Sequence, residues 1–246
     1  MIWSVWAYFC AAVVTFGCGS VVIISSLLGL RGSVYSRATR AWGRGLLRGS
    51  GVRLVLHGYD RVDWSAPQVL VANHTGAFEI LALAATIPVD YHFVAKKELE
   101  RIPFFGRAWK AARHISIDRE NRQKAVESLR KAAEIIREDG GTVVIFPEGT
   151  RSPDGELQPF KKGAFQLAVA AGVPLLPTIV TGSSRILGGG DRRVRPGVMH
   201  MYFGEMIPLA ADSSSGTDAL IERTHTIMRE MLAAARAAEQ KGPSLS

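Results

Sequence analysis

The sequence predicts an α/β protein: a mixed sheet flanked by helices, with an N-terminal membrane-associated helical segment ahead of it. Three observations lead there. The first 30 residues contain no charged side chain. From residue 50 onward, short apolar runs alternate with helix-length stretches, as they do when strands are connected through helices. Several of those runs end in polar or charged residues, and the loops beyond strand ends are where open α/β sheets bind ligands. The 246 residues suit one such domain plus an appendage. Composition divides them into an anchoring segment, 1–49, and an α/β domain, 50–246.

At ~1.5 Å per residue, a helix over the first 30 residues reaches roughly 45 Å, more than the ~30 Å hydrocarbon core of a bilayer. It does not read as a cleaved signal, because no basic residue precedes it and the apolar run is too long. Trp3, Trp6 and Tyr8 suit an interfacial belt, and Gly17 and Gly19 a bend or a close helix contact. A straight span and a surface-lying hairpin both satisfy the pattern. Residues 34–48 follow, with Arg37, Arg40, Arg44 and Arg48 at three- and four-residue steps forming one basic stripe. Val34, Ala38, Ala41, Trp42 and Leu46 lie largely away from it, as in a basic amphipathic helix at a membrane interface. The positive-inside tendency places it on the cytoplasmic side of the cell membrane.

The charge distribution agrees. Of a formal +8, the first 59 residues contribute +6 from six arginines and no acid, and the other 187 contribute +2. Charge attached to an apolar run points to anionic lipid headgroups. A nucleic-acid binder would carry its charge on the folded domain, so no nucleic-acid partner is expected. The two cysteines, Cys10 and Cys18, would sit ~12 Å apart on one helix, too far for a disulfide.

Strands are expected at 52–56, 68–72, 91–95, 115–117, 142–146, 175–181 and 198–203. Helices are expected at 80–87, 121–139, 162–171 and 216–239, with the last residues frayed. Gly140-Gly141 and Gly172 are the stop signals for two of the helices. Gly188-Gly189-Gly190 reads as a surface loop, basic beyond it at Arg192, Arg193 and Arg195.

Asn73 and His74 fall at a strand-to-helix turn, with Glu79 five residues on from His74. A histidine with a carboxylate in reach is an acid–base unit, since the carboxylate orients the ring and stabilises the imidazolium. Five residues on a regular helix are about 140° off the same face, and odd spacing on a strand puts side chains on opposite faces. The two groups therefore meet only if His74 lies in the loop and Glu79 inside the helix, with Gly76 easing the bend. Other strand ends carry Lys96-Lys97, Arg119, and Glu148-Gly149-Thr150-Arg151-Ser152. Three basic sets at strand ends beside a His–Glu pair suggest a phosphate-bearing substrate.

In these blocks the chain resembles the 1-acylglycerol-3-phosphate (lysophosphatidate) acyltransferases among the glycerolipid acyltransferases. Four blocks occur in that family's order: Asn73-His74 with Glu79; Ile102 to Gly106 running on to Ile117-Asp118-Arg119; Phe146 to Ser152; and Val173 to Pro177. The first block usually ends in Asp, and here it ends in Glu79, one methylene longer; Asp90 stands as the alternative carboxylate. The resemblance implies His74 as general base and Glu79 as its partner. It implies Lys96, Arg119 and Arg151 on the acceptor's phosphate, and Glu148, Gly149 and Thr150 around its glycerol. Asn73 and free N–H groups of the turn would shape the site and hold the thioester oxyanion, and Pro174 and Pro177 would shape its wall. The implied reaction moves a fatty acyl group from acyl-CoA or acyl carrier protein to the free hydroxyl of lysophosphatidate, giving phosphatidate. It needs no metal and no cofactor beyond the co-substrate. Another acceptor (glycerol 3-phosphate, a lysophospholipid or a glycolipid), a thioesterase, and a catalytically weak lipid-binding protein are the rival readings.

Overall fold

The computed structural model describes residues 1–30, 32–188, 192–209 and 216–240. Two expectations fall on the remainder: most of the glycine loop, and the frayed end at 241–246, lie outside the described residues. Helices α1 (Ile2–Leu27) and α2 (Ser33–Gly49) come first, followed by β1 (Val52–His57), β2 (Gln68–Ala72), α3 (Phe78–Thr86) and β3 (Tyr91–Lys96). Then come α4 (Phe105–Ala111), β4 (Ile115–Ile117), α5 (Arg122–Asp139), β5 (Thr142–Ile145) and α6 (Gly163–Ala171). The chain continues through β6 (Leu175–Thr181), α7 (Ser183–Ile186), β7 (Gly197–Phe203) and α8 (Gly216–Gln240).

The seven strands form one sheet in the order β1-β7-β6-β2-β5-β3-β4. Only β6–β7 is antiparallel, so the sheet is mixed, as expected. Every residue of β2 is buried, which fits the apolar run Val69–Ala72 that follows Gln68 and its place in mid-sheet with both faces covered. Alternate side chains divide the core. Leu70, Phe93 and Val144 face α2, α3 and α4, while Val69, Val143 and Ile145 face α5, α6 and α8. Val71 pairs with Ile145, so β2 and β5 end together and bring residues 73–79 beside residues 146–152.

The N-terminal helices share this core. Ala7, Leu46 and Leu47 belong to the same buried cluster as Leu70 and Leu83. The division at residue 49 is thus one of composition, and packing crosses it. Gly43 explains how close α2 comes: a Cβ there would lie 2.7 Å from Leu81 O. The basic stripe of α2 is split. Arg40 donates to the carbonyls of Ile87 and Val89, and Arg44 to that of Ala85, which satisfies and neutralises the C-terminal end of α3. Arg37 and Arg48 stay exposed. On α1, Trp6, Phe9, Val13 and Phe16 are exposed. Among the described residues α1 is the one helix long and apolar enough to cross a membrane, with mean hydropathy 2.1 in its best window.

Candidate active site

The turn between β2 and α3 is held from three sides. Asn73 is buried; its Nδ2 donates to Val180 O at 3.0 Å and its Oδ1 accepts Val180 N–H at 2.7 Å, tying the turn to β6. The N–H of His74 donates to Glu148 Oε1 at 2.8 Å, and its carbonyl accepts the N–H of Ser152 at 2.7 Å. Its ring stacks on Phe146 with centroids 4.4 Å apart. Residue 76 is glycine because a Cβ there would lie 2.5 Å from the buried Ser183 Oγ.

Helix α3 begins at Phe78, so His74 is in the loop and Glu79 is inside the first turn, the arrangement the spacing required. Glu79 is fully buried and reaches back along the turn. Its Oε1 accepts the N–H and hydroxyl of Thr75, and its Oε2 accepts the N–H of Gly76 at 2.9 Å. This reach-back satisfies donors that a helix start leaves open. His74 Nδ1 stands 3.6 Å from Glu79 Oε2 and has no closer partner among the described residues. That is longer than a hydrogen bond, and such contacts tighten when substrate binds. Burial acts to raise the Glu79 pKa, but the His74 ring and the Thr75 hydroxyl outweigh it and hold the carboxyl below its ordinary value. Glu79 is therefore anionic at neutral pH, and Nε2 is the ring nitrogen left to act on a substrate. Asp90 is excluded as the partner, because it precedes β3 at the opposite end of the sheet.

His74 lines a cavity of about 1110 Å³. Lys96, Arg119, Gly149, Thr150 and Arg151 also line it, so the structure brings these predicted residues together with His74. Arg119 Nη1 donates to Gly149 O at 2.5 Å. Lys161, which nothing in the sequence singled out, packs over Gly149 and joins the cluster. Lys97 does not join; its Nζ pairs with Asp118 Oδ2 at 2.6 Å. Away from the cations the cavity is apolar, walled by α1, α2, α3 and α4 through such residues as Val22, Trp42, Leu81 and Phe105.

The structure places three of the expected groups differently. Asn73 and Glu148, expected to touch substrate, do not line the cavity. Both acceptors of Glu148 are taken, by His74 N–H and by Gln158 N–H at 3.1 Å, so it is a clamp on the catalytic turn. Burial pushes its pKa up, and those two N–H groups offset this only in part. The turn also has no free N–H for an oxyanion at residues 74–76, since Glu148 and Glu79 accept all three. These roles were invisible in sequence because the bonding partners come from remote strands and loops. Phe146 opens the polar loop 146–152, and an aromatic at that position is the available signal for its stack on His74.

A parallel-rich α/β sheet thus presents a His–carboxylate pair beside a cavity that is cationic at one part and apolar elsewhere. Residues 53–181 match the Acyltransferase family model, and the chain belongs to that family. Relatives include the 1-acyl-sn-glycerol-3-phosphate acyltransferase of Limnanthes alba, 36% identical over 146 residues covering 59% of this chain and 51% of the relative. The human 1-acyl-sn-glycerol-3-phosphate acyltransferase alpha is 30% identical over 185 residues, 74% of this chain and 65% of the relative. Against the plant relatives the chain spans about half their length. The crystal structure of the 1-acyl-sn-glycerophosphate (LPA) acyltransferase PlsC from Thermotoga maritima superposes with a TM-score of 0.80 at 25% identity, covering 100% of this chain and 97% of that one.

Proposed function

We propose that this protein transfers a fatty acyl group from the thioester of acyl-CoA or acyl carrier protein to the free hydroxyl of 1-acylglycerol 3-phosphate, giving phosphatidate. One observation carries the reading: His74, backed by the buried Glu79 at 3.6 Å, opens on a cavity that is cationic at one part and apolar elsewhere. His74 Nε2 takes the proton of the acceptor hydroxyl as its oxygen attacks the thioester carbonyl. The C–S bond then breaks, and the imidazolium returns the proton to the departing thiolate. Glu79 favours the charged ring throughout. Lys96, Arg119 and Arg151 hold the acceptor's phosphate, while Gly149 and Thr150 frame its glycerol. The apolar wall takes the acyl chain. The thioester is the only co-substrate, and no metal or cofactor enters a step. The names of the relatives support the acceptor.

The site works at the cytoplasmic face of the cell membrane, with the exposed apolar face of α1 in the lipid and Arg37 and Arg48 toward anionic headgroups. The test is a lipid-product assay of purified protein with both donor types and several acceptors. The reading expects phosphatidate, and a loss of about 10²–10⁴-fold in folded His74→Ala. Free fatty acid as the product, or near-wild-type activity of that variant, refutes it.

A further inference from the structure

The apolar part of the cavity contains a polar atom with no partner. His114 stands just ahead of β4 in the cavity wall, its ring 4.5 Å from that of Trp109 and 5.7 Å from that of Phe93. Its Nδ1 accepts the backbone N–H of Phe93 at 3.2 Å. A neutral imidazole accepting at one nitrogen carries its proton on the other, so Nε2 is an N–H donor. Burial lowers the ring's pKa to about 3, with His92 acting in the same direction, so the neutral form holds across physiological pH. Among the described residues Nε2 has no hydrogen-bond partner. Protein encloses most of the ring but not all of it, and His114 is one of the residues lining the cavity.

Neighbouring polar hydrogens are engaged. Trp109 Nε1 donates to Ser116 Oγ at 3.0 Å, Trp42 Nε1 to Thr15 Oγ1 at 2.9 Å, and the Thr39 hydroxyl to Tyr35 O at 2.9 Å. The depth of His114 follows from the sheet register. It precedes Ile115, which pairs with Val94; Phe93 pairs with Val144, and Val144 with Leu70. His114 is thus level with Leu70, four residues below His74, or roughly 13 Å at ~3.3 Å per residue.

We propose that His114 fits this cavity to oxygenated acyl chains, its Nε2–H donating to a hydroxyl or keto oxygen carried well beyond the thioester. The inference rests on the reading of the cavity as the acyl site. A plain saturated chain lying on His114 buries an N–H with nothing to accept it, at a cost. A chain with an oxygen at that depth pairs the donor and also satisfies its own oxygen, which the surrounding apolar wall would otherwise strand. Sites that hydrogen-bond a substrate oxygen discriminate against chains lacking it for this reason.

The test uses the purified full chain with 1-acylglycerol 3-phosphate in vesicles. Equimolar pairs of a saturated thioester and its monohydroxy isomer compete as donors, with the hydroxyl moved along the chain, on CoA and on acyl carrier protein. Product phosphatidates are ratioed by mass spectrometry. The hydroxylated donor should gain within a window of positions remote from the thioester. In His114→Phe that preference should fall roughly three- to tenfold, the worth of one net hydrogen bond, and His114→Gln, which keeps an N–H donor, should retain part of it. A flat positional profile in the wild type overturns the proposal, as does an unchanged ratio in His114→Phe. The wild-type profile decides alone if the Phe variant does not fold. Absence of phosphatidate from every donor, saturated or not, instead overturns the acyl-transfer reading itself.

Discussion

Replacing Glu79 by Gln removes one charge and leaves the volume of the side chain in place. At 3.6 Å and an effective dielectric of about 20, the attraction between the carboxylate and a protonated His74 is about 5 kcal/mol. It acts only once the ring has taken the proton, so it lowers the barrier more than it strengthens substrate binding. At 1.36 kcal/mol per decade, with part of the attraction replaced by solvent and by the amide dipole, kcat/KM should fall roughly 10²–10³-fold. The Gln amide also turns an NH₂ toward either Thr75 N–H or Gly76 N–H, each of which now donates to Glu79. Glu79→Asp keeps the charge but draws it back by about one C–C bond, ~1.5 Å, to ~5 Å from the ring. The attraction then drops by about 1.3 kcal/mol, so this variant should lose only about tenfold. The assay is initial-rate transfer to vesicle-borne 1-acylglycerol 3-phosphate across pH 5–9, with circular dichroism as the check on folding. A folded Gln variant with unchanged rate and pH profile would refute the pairing and leave His74 acting alone.

Arg119→Ala and Arg151→Ala should each raise the acceptor KM by about one to two orders of magnitude, the worth of a charge-assisted hydrogen bond of roughly 1.5–3 kcal/mol; a rise in donor KM alone shows that the wrong substrate has been placed there. Glu148→Gln should lower kcat about tenfold or more although residue 148 does not line the cavity, because one of its two N–H partners, His74 or Gln158, then faces an NH₂ group; unchanged kcat in that variant removes the clamp. Acid should weaken the fold in part through Glu79: its folded pKa is depressed, so the stability it adds is present above the ordinary carboxylate range and lost as pH falls through the lower folded value. The stability difference between wild type and Glu79→Gln, read by urea titration, should therefore be steady near neutrality and shrink only in strong acid. Deleting residues 1–49 should give an aggregating, inactive product, since it strips α3 of its cover and the cavity of one wall; a soluble, vesicle-active remainder contradicts this packing.

Much of the fold could be read from sequence because the central strands β2, β5 and β6 are buried on both faces and so appear as largely apolar runs. β2, β4 and β6 fall where they were expected. Helix α4 was missed: it has only seven residues, and it starts from Phe104 in a positive-φ conformation that no sequence pattern announces for a phenylalanine. The spacing of His74 and Glu79 forced the loop-and-helix geometry in advance, because other local conformations separate the two groups. Asn73 and Glu148 are harder to read, for the opposite reason. An amide and an acid in blocks around a catalytic histidine look like substrate ligands, and only the remote backbone at Val180 and Gln158 reveals them as braces. Likewise the arginine stripe of α2 could be seen, but the carbonyls at and just beyond the end of α3 that accept from Arg40 and Arg44 lie more than forty positions away in sequence.

Helix α3 is held at both ends by opposite charges, Glu79 at its start and Arg40 and Arg44 at its finish. Its nine residues make it about 13 Å long. It therefore works as a strut of fixed length between the basic helix α2 and the histidine loop. In the orientation proposed above, with α2 toward the headgroups, the strut would set how far His74 stands from the lipid surface, and a lengthened or shortened α3 would change that reach without altering any residue of the cavity's cationic wall.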